Sequence, residues 1–326
     1  MTTPIDIREQ ELLARYTSWR IGGPARFFAD VTSVDQLRAA LAWAHERGLP
    51  VFLLGGGTNT LVRDAGFDGM VVRFRAQEIV IEPEGDDGRA RIDAGAPTAG
   101  TVRKLTRQGW AGLEWAEGLP GTIGGAVYGN AGCYGGDTAS VLTRAWLLVD
   151  GEVEEWTAER LGYSYRTSAL KQRENQPQIN TDERRLIDDE ESKIIDNEHY
   201  IGVYPRSSAV KPVVLKAEFR LHRADPGELS ARMAETAALR RSKTPSGQSC
   251  GSVFKNPPGD SAGRLIEAAG MKGTRIGGAE VAQKHANYIV NVGGATSDDV
   301  LRLTDLMRER VLQAFGVELE LEVQVL

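Results

Sequence analysis

Apolar residues recur at helical spacing after position 33. Ser33, Val34, Asp35 and Gln36 read as a capping box, and Leu37, Ala40, Leu41 and Ala44 then share one face until Gly48 and Pro50 end the run. Residues 51–54 are all apolar and predict a short strand, and residues 70–73 predict a second. Between them lies Gly55-Gly56-Gly57-Thr58-Asn59-Thr60, so these glycines connect strands. A short helix is predicted near residues 102–108, followed by a second glycine-rich segment at 118–136, GLPGTIGGAVYGNAGCYGG. Near the C-terminus Ser297 is positioned to cap a helix whose Val300, Leu303, Met307, Val311 and Ala314 form one stripe ending at Gly316. Val317, Leu319, Leu321, Val323 and Val325 then alternate with Glu318, Glu320, Glu322 and Gln324, which predicts a strand with all three carboxylates on one face. No internal repeat is present.

At 326 residues the chain exceeds what one core usually supports, so two or three compact units around a shared cleft are expected. Its 41% hydrophobic and 26% charged content is that of a globular chain. The net charge of -6 and the lack of any Lys/Arg-rich run argue against nucleic acid as a partner. Two cysteines, Cys133 and Cys250, are too few for a disulfide framework and point to reduced thiols. No apolar leader and no run of roughly 20 apolar residues occurs, so a cytoplasmic protein without membrane insertion is expected. Residues 174–199 carry nine acids and three bases, a local net of -6, and the span 172–209 reads as a solvated, partly disordered insertion.

Glycine loops let backbone N–H groups approach phosphate oxygens, and turns of this kind form anion-binding nests. The first loop does not fit a Rossmann fingerprint, which must open a helix and needs a third glycine where this chain has Thr60. Tight turns alone would also explain either loop; together, with Asn59 and Asn130 as donors, they favour one large ligand. Gly251-Ser252-Val253-Phe254-Lys255-Asn256-Pro257 sets a hydroxyl, an ammonium and an amide close together, although Ser252 alone reads as a turn serine and Lys255 as a solvated charge. Arg166, after Tyr165, offers a planar fork to a carboxylate, and Glu322 a carboxylate on a terminal strand. Both residue types are usually mere surface charges. His285 reads as a structural histidine, and no metal-ligand spacing occurs.

Seven segments in order resemble the UDP-N-acetylenolpyruvoylglucosamine reductase family: WRIGGPA at 19–25, GGGTNTLV at 55–62, the second glycine segment, SYRTS at 164–168, GSVFKNP at 251–257, KGTRIGGAEVAQKHANYIVN at 272–291 and FGVELELEV at 315–323. The resemblance implies an α+β protein: an FAD-binding domain of the vanillyl-alcohol-oxidase (PCMH) type with two α/β subdomains over 1–222, and a smaller α+β substrate domain over 223–326. It implies bound FAD, NADPH as co-substrate, UDP-N-acetylglucosamine enolpyruvate as substrate, and a monomer. FAD contacts carried over are Arg20, Gly22, Gly55, Gly56, Gly57, Thr58, Asn59, Gly121, Thr122, Gly124, Gly125 and Asn130. The catalytic residues carried over are Ser252 as proton donor, with Arg166 and Glu322. Lys255 and Asn256 are implied for the UDP phosphates, and Tyr165 for stacking or hydrogen bonding. The sequence departs from the family in the acidic stretch, in Cys250 where a smaller residue such as alanine is expected, and in lacking an evident substrate-capping tyrosine loop, which points to the subtype without it. Competing readings are another FAD-dependent oxidase of a sugar or hydroxy acid, or a non-catalytic flavin-binding sensor.

Overall fold

The computed structural model describes residues 4–172 and 212–326, so the acidic stretch lies outside the described residues apart from Gln172. The first unit contains β1 (Ile7–Leu12), β2 (Pro24–Val31), α1 (Val34–Glu46), β3 (Val51–Leu53), β4 (Thr60–Leu61) and β5 (Phe67–Phe74). Four strands form a sheet in the order β1-β2-β5-β3, with β2, β5 and β3 parallel. Met70 and Val72 of β5 face Leu37, Ala40, Leu41 and Ala44 of α1, while Val71 faces Phe28 and Phe52 on the other side. Burial on both faces explains why this strand reads as a continuous apolar run. Ser33 caps α1 by accepting from the Gln36 N–H, as expected, but the Gln36 carboxamide accepts from the Thr32 N–H, which shifts the reciprocal half of the box by one residue.

The second unit holds β6 (Ile79–Glu84), β7 (Asp87–Asp93), α2 (Thr98–Arg107), β8 (Trp110–Ala111), α3 (Ile123–Gly129), β9 (Gly132–Cys133), β10 (Gly136–Asp137), α4 (Thr138–Val141), β11 (Leu142–Val149), β12 (Glu152–Thr157), α5 (Ala169–Gln172), β13 (Val213–Arg223) and α6 (Pro226–Lys243). Its antiparallel sheet runs β12-β11-β13-β7-β6, with β8 also on β13. Trp146 pairs with Lys216 but Leu147 with Val214, so Leu215 is an extra residue in β13. This bulge reverses the side-chain parity. Val213 and Leu215 therefore enter the core beneath α1, whereas Val214, Ala217, Phe219 and Leu221 enter the core of the second unit. Met233 of α6 packs on that same second core, and α6 also contacts α2.

The C-terminal unit comprises α7 (Ala262–Ala268), β14 (Arg275–Ile276), β15 (Ala279–Val281), β16 (Ile289–Asn291), α8 (Ser297–Phe315) and β17 (Gln324–Val325). Val300, Leu303, Met307 and Val311 of α8 are buried as the stripe predicts, but Ala314 is exposed near the helix end. The cap is Thr296, in a capping box with Asp299. Ser297 has a different partner: its N–H and hydroxyl both donate to the Asp64 carboxylate at 2.8 and 2.7 Å, tying α8 to the first unit. Beyond Gly316 the expected nine-residue strand is an extended tail. It makes one bridge, Leu321 to Phe254, and then β17 pairs in parallel with β4. Leu319 and Val323 are buried in step with the alternation, yet the carboxylates do not share one environment. Glu318 and Glu320 are exposed while Glu322 lines a cleft, because the tail leaves its own unit and runs into the first.

Trp19 and Ile21 belong to the core of the C-terminal unit although they precede β2. The Trp19 indole donates to the Ile289 carbonyl at 2.7 Å, and the Asn291 amide donates to the Trp19 carbonyl at 2.9 Å. The segment is a joint between units. At Gly22 the backbone has φ of 138°, and a Cβ would stand 2.7 Å from that of Val62, so only glycine fits the close approach.

Candidate active site

A cleft of about 710 Å³ opens where the three units meet, within the usual range for ligand clefts. One wall is the first glycine loop, between β3 and β4; the next is the start of α3 with its cap, Thr122. The loops touch: a Cβ on Gly56 would lie 2.8 Å from the Gly121 Cα, and one on Gly57 would collide with the Tyr16 carbonyl. Among the described residues, no backbone carbonyl accepts from the N–H groups of Gly55, Gly56, Gly57, Thr58 or Asn59. Five consecutive donors without a backbone partner, bare of bulky side chains at the three glycines, fit the pyrophosphate of a dinucleotide. Gly121, Thr122, Gly124 and Gly125 also line the cleft.

Other expected cofactor contacts lie elsewhere. Asn130 takes the left-handed conformation that ends α3, and its side-chain amide is engaged by the Ser164 carbonyl and the Ala139 N–H. Asn59 lines the cleft, but its Nδ2 donates to the Glu322 carbonyl at 2.9 Å and so secures the C-terminal tail. Arg20 donates to the Arg15 carbonyl on the surface, and neither it nor Gly22 lines the cleft. Likewise Lys255 pairs with Glu320, Asn256 accepts from the Ala262 N–H, and Tyr165 is exposed, all outside the lining. These residues flank true lining positions in sequence, and adjacency could not reveal which way each side chain turns.

Arg166, Ser252 and Glu322 come from three separate segments and all line the cleft. Ser164 and Thr167 exchange backbone hydrogen bonds, which closes a tight turn with Arg166 at φ of 55°. A non-glycine residue in this region costs about 1–2 kcal/mol, so the turn holds an arginine at a position where glycine would be easier. Its Nη1 donates to the Gly132 carbonyl at 2.9 Å, and its Nε lies 2.8 Å from a Glu322 oxygen. That contact is an ion pair whose angle falls short of a straight hydrogen bond, and Nε has no other acceptor among the described residues. Burial raises the Glu322 carboxyl above its ordinary value, against the opposing pull of Arg166 and Lys171.

The raised value has a sign for stability. A carboxyl that binds its proton more tightly when folded supports the fold at low pH and loses that contribution as pH rises above the ordinary 4.5 through the raised value. Glu322→Gln is therefore expected to lose less stability than the parent over that rise, read from urea midpoints on both sides of it. An equal loss in both proteins would contradict the dominance of burial over the ion pair.

Cys250 is buried, with its thiol against the Thr60 carbonyl at 3.5 Å, and burial pushes that thiol up to about 12. It acts as a small packing residue between the Ser252 loop and the first glycine loop, which explains a position otherwise suited to alanine. The cleft also holds cations that sequence reasoning passed over: Lys171, Arg240 and Lys243. Arg240 stacks on Tyr134 and donates to the Glu117 carbonyl at 3.2 Å. The available signal was the basic last turn of α6, directly before Thr244 and Pro245. His285 is also in the lining; its Nδ1 accepts from the Asn287 N–H, and burial lowers its pKa.

The described FAD binding domain family matches residues 25–156. A 6-hydroxy-D-nicotine oxidase structure from Arthrobacter nicotinovorans superposes with a TM-score of 0.52 over 98% of this chain and 88% of its own, at 14% identity, a likeness of fold alone. Fold and cleft thus define a flavoprotein with an FAD-binding domain of the vanillyl-alcohol-oxidase type. The C-terminal domain family of UDP-N-acetylenolpyruvoylglucosamine reductases matches residues 242–326. A UDP-N-acetylenolpyruvoylglucosamine reductase from Chloroflexus aggregans is 50% identical over 99% of this chain and 98% of its own. The structure of such a reductase from Thermus caldophilus superposes with a TM-score of 0.74 at 31% identity, over 99% of this chain and 98% of the other. The chain belongs to the UDP-N-acetylenolpyruvoylglucosamine reductase family and is an FAD-dependent oxidoreductase.

Proposed function

We propose that this protein uses NADPH to reduce the enolpyruvyl group of UDP-N-acetylglucosamine enolpyruvate, giving UDP-N-acetylmuramate for peptidoglycan synthesis. The observation that carries the chemistry is the convergence of Arg166, Ser252 and Glu322 on the cleft that both glycine loops line. FAD, when bound, supplies the hydride chemistry between the two substrates. The chain's own residues supply the rest. The Ser252 hydroxyl donates a proton to the substrate carbon beside the carboxylate, a reasonable acid against a strongly basic carbanion-like centre. Arg166 stabilises the charge building on that carboxylate from its place beside Glu322 in the lining. Glu322, with its raised carboxyl, is suited to return a proton to the serine.

Four cations, Arg166, Lys171, Arg240 and Lys243, stand against Glu322 in the lining, which suits an anionic diphosphate sugar. No described helix is long and apolar enough to cross a membrane. The reading is of a cytoplasmic monomer, since one chain supplies all the groups the reaction needs. In the same reading residues 1–222 serve FAD and 223–326 serve the substrate, with α6 bridging the two by packing on the former and ending at the cleft.

The test is anaerobic. NADPH is expected to bleach the flavin of the purified holoprotein, and the enolpyruvyl substrate to restore the colour in one equivalent. Return of colour with oxygen alone, and none with substrate, would overturn the reductase reading in favour of an oxidase.

A further inference from the structure

The extended segment that carries Ser252 has an unusual second neighbour. Val253 and Phe254 are fully buried and sit between two partners. On one edge the C-terminal tail pairs with them: the Lys255 N–H donates to the Glu320 carbonyl at 2.8 Å, and the Glu322 N–H donates to the Val253 carbonyl at 2.8 Å. In that register the N–H and C=O of Phe254 point to the opposite edge. No strand lies there to take them. The side chain of Asn287 does: its Oδ1 accepts from the Phe254 N–H at 3.0 Å, and its Nδ2 donates to the Phe254 carbonyl at 2.8 Å. The Asn287 backbone carbonyl adds a bond from the Val253 N–H at 2.9 Å. One carboxamide thus stands in for a missing strand, in a residue only 2% exposed.

We infer that Asn287 is a positioning residue for the proton donor: its carboxamide fixes the peptides on both sides of Phe254 and so sets where the Ser252 hydroxyl stands relative to Glu322. The inference rests on the proposed reaction. Two backbone polar groups of a buried residue need partners, and without the amide the segment must shift or twist to find them. Any shift moves Ser252, the next residue along, and the Val253 carbonyl that holds Glu322. Asn287 itself makes no bond to residues 55–59 or 121–125 among the described residues, and the first flavin loop is met only at the far end of this chain of contacts, where Asn59 donates to the Glu322 carbonyl. Asn287 therefore acts on protonation of the substrate and not on reduction of the flavin.

Asn287→Ala is expected to slow substrate-driven reoxidation of the flavin by about a hundredfold, the usual effect of roughly 1 Å of misplacement. Flavin content and the rate of bleaching by NADPH should stay within threefold of the parent. Asn287→Asp, which keeps the acceptor for the Phe254 N–H, should recover part of the loss and serves where the alanine variant does not hold flavin. The deciding measurement is a double-mutant cycle: in a Ser252→Ala background, Asn287→Ala should cause little further slowing, since there is no donor left to misplace. Equal slowing in both backgrounds, or parallel loss of both half-reactions, would overturn the assignment. If instead Ser252→Ala alone leaves reoxidation untouched, it is the donor role of Ser252 that fails.

Discussion

Ser252→Ala protein is expected to purify yellow, bleach with NADPH at the parental rate, and then remain bleached when the enolpyruvyl substrate is added. The expected slowing of the second half-reaction is about 10²- to 10⁴-fold, the range for loss of one positioned acid. The reasoning is geometric. Ser252 lines the cleft from a loop that also holds buried Cys250 and Phe254, so the backbone stays anchored when the hydroxyl is removed. The side-chain bonds that hold the glycine loops, from Asn59 to the Glu322 carbonyl and from the Gly125 N–H to Thr122, do not involve that hydroxyl. An alanine here removes one oxygen and little packing. Stopped-flow absorbance of the flavin separates the two halves, and equal damage to both would show that the residue supports binding of the flavin instead of protonation of the substrate.

Arg166→Lys is expected to lower turnover by about 10²- to 10³-fold, on the scale of losing one preorganised donor. Lysine keeps the charge but cannot bond the Gly132 carbonyl, face Glu322 and reach a carboxylate at the same time, as a planar fork can. Arg166→Gly is the informative companion. With φ of 55° at this turn, glycine relieves backbone strain, so that variant should fold at least as stably as the parent while losing the activity. Thermal melts together with kcat read the two effects separately. Near-normal turnover in the lysine variant would remove Arg166 from the proposed reaction, and a destabilised glycine variant would show that its side-chain bonds outweigh the strain.

Much of the local structure was legible because its causes are local. The α1 stripe of Leu37, Ala40, Leu41 and Ala44 and the α8 stripe from Val300 to Val311 are buried as their spacing requires, and Gly316 ends α8 in the left-handed region. The error of one residue at the α8 cap has a plain reason: Thr296 and Ser297 are both competent caps, and the choice fell to Asp64, a residue distant in sequence, which claims the serine. The seven-residue helix α3 was invisible inside its glycine-rich segment, since Gly124, Gly125 and Gly129 oppose helix on propensity and packing of Ile123 and Val127 on the second core offsets them. Tail residues 317–325 have the alternation of a strand, but pairing partners differ along it, so only short pieces of ladder form.

For the site, the sequence by itself determined the chemistry available: two glycine loops, a serine before a buried pair, an arginine in a turn, and a glutamate on an alternating tail, in an order shared with one reductase family. These are properties of residue type and spacing, which survive without coordinates. Tertiary structure decided which of them face one another. It turned Arg20, Gly22 and Asn130 into supports of the frame and sent Lys255 outward to Glu320, while bringing Lys171, Arg240 and Lys243 into the cleft. It also buried Glu322 beside Arg166 and gave Phe254 the Asn287 amide as a neighbour. The reason is that direction and burial depend on contacts between segments tens to hundreds of residues apart, and no local pattern encodes them.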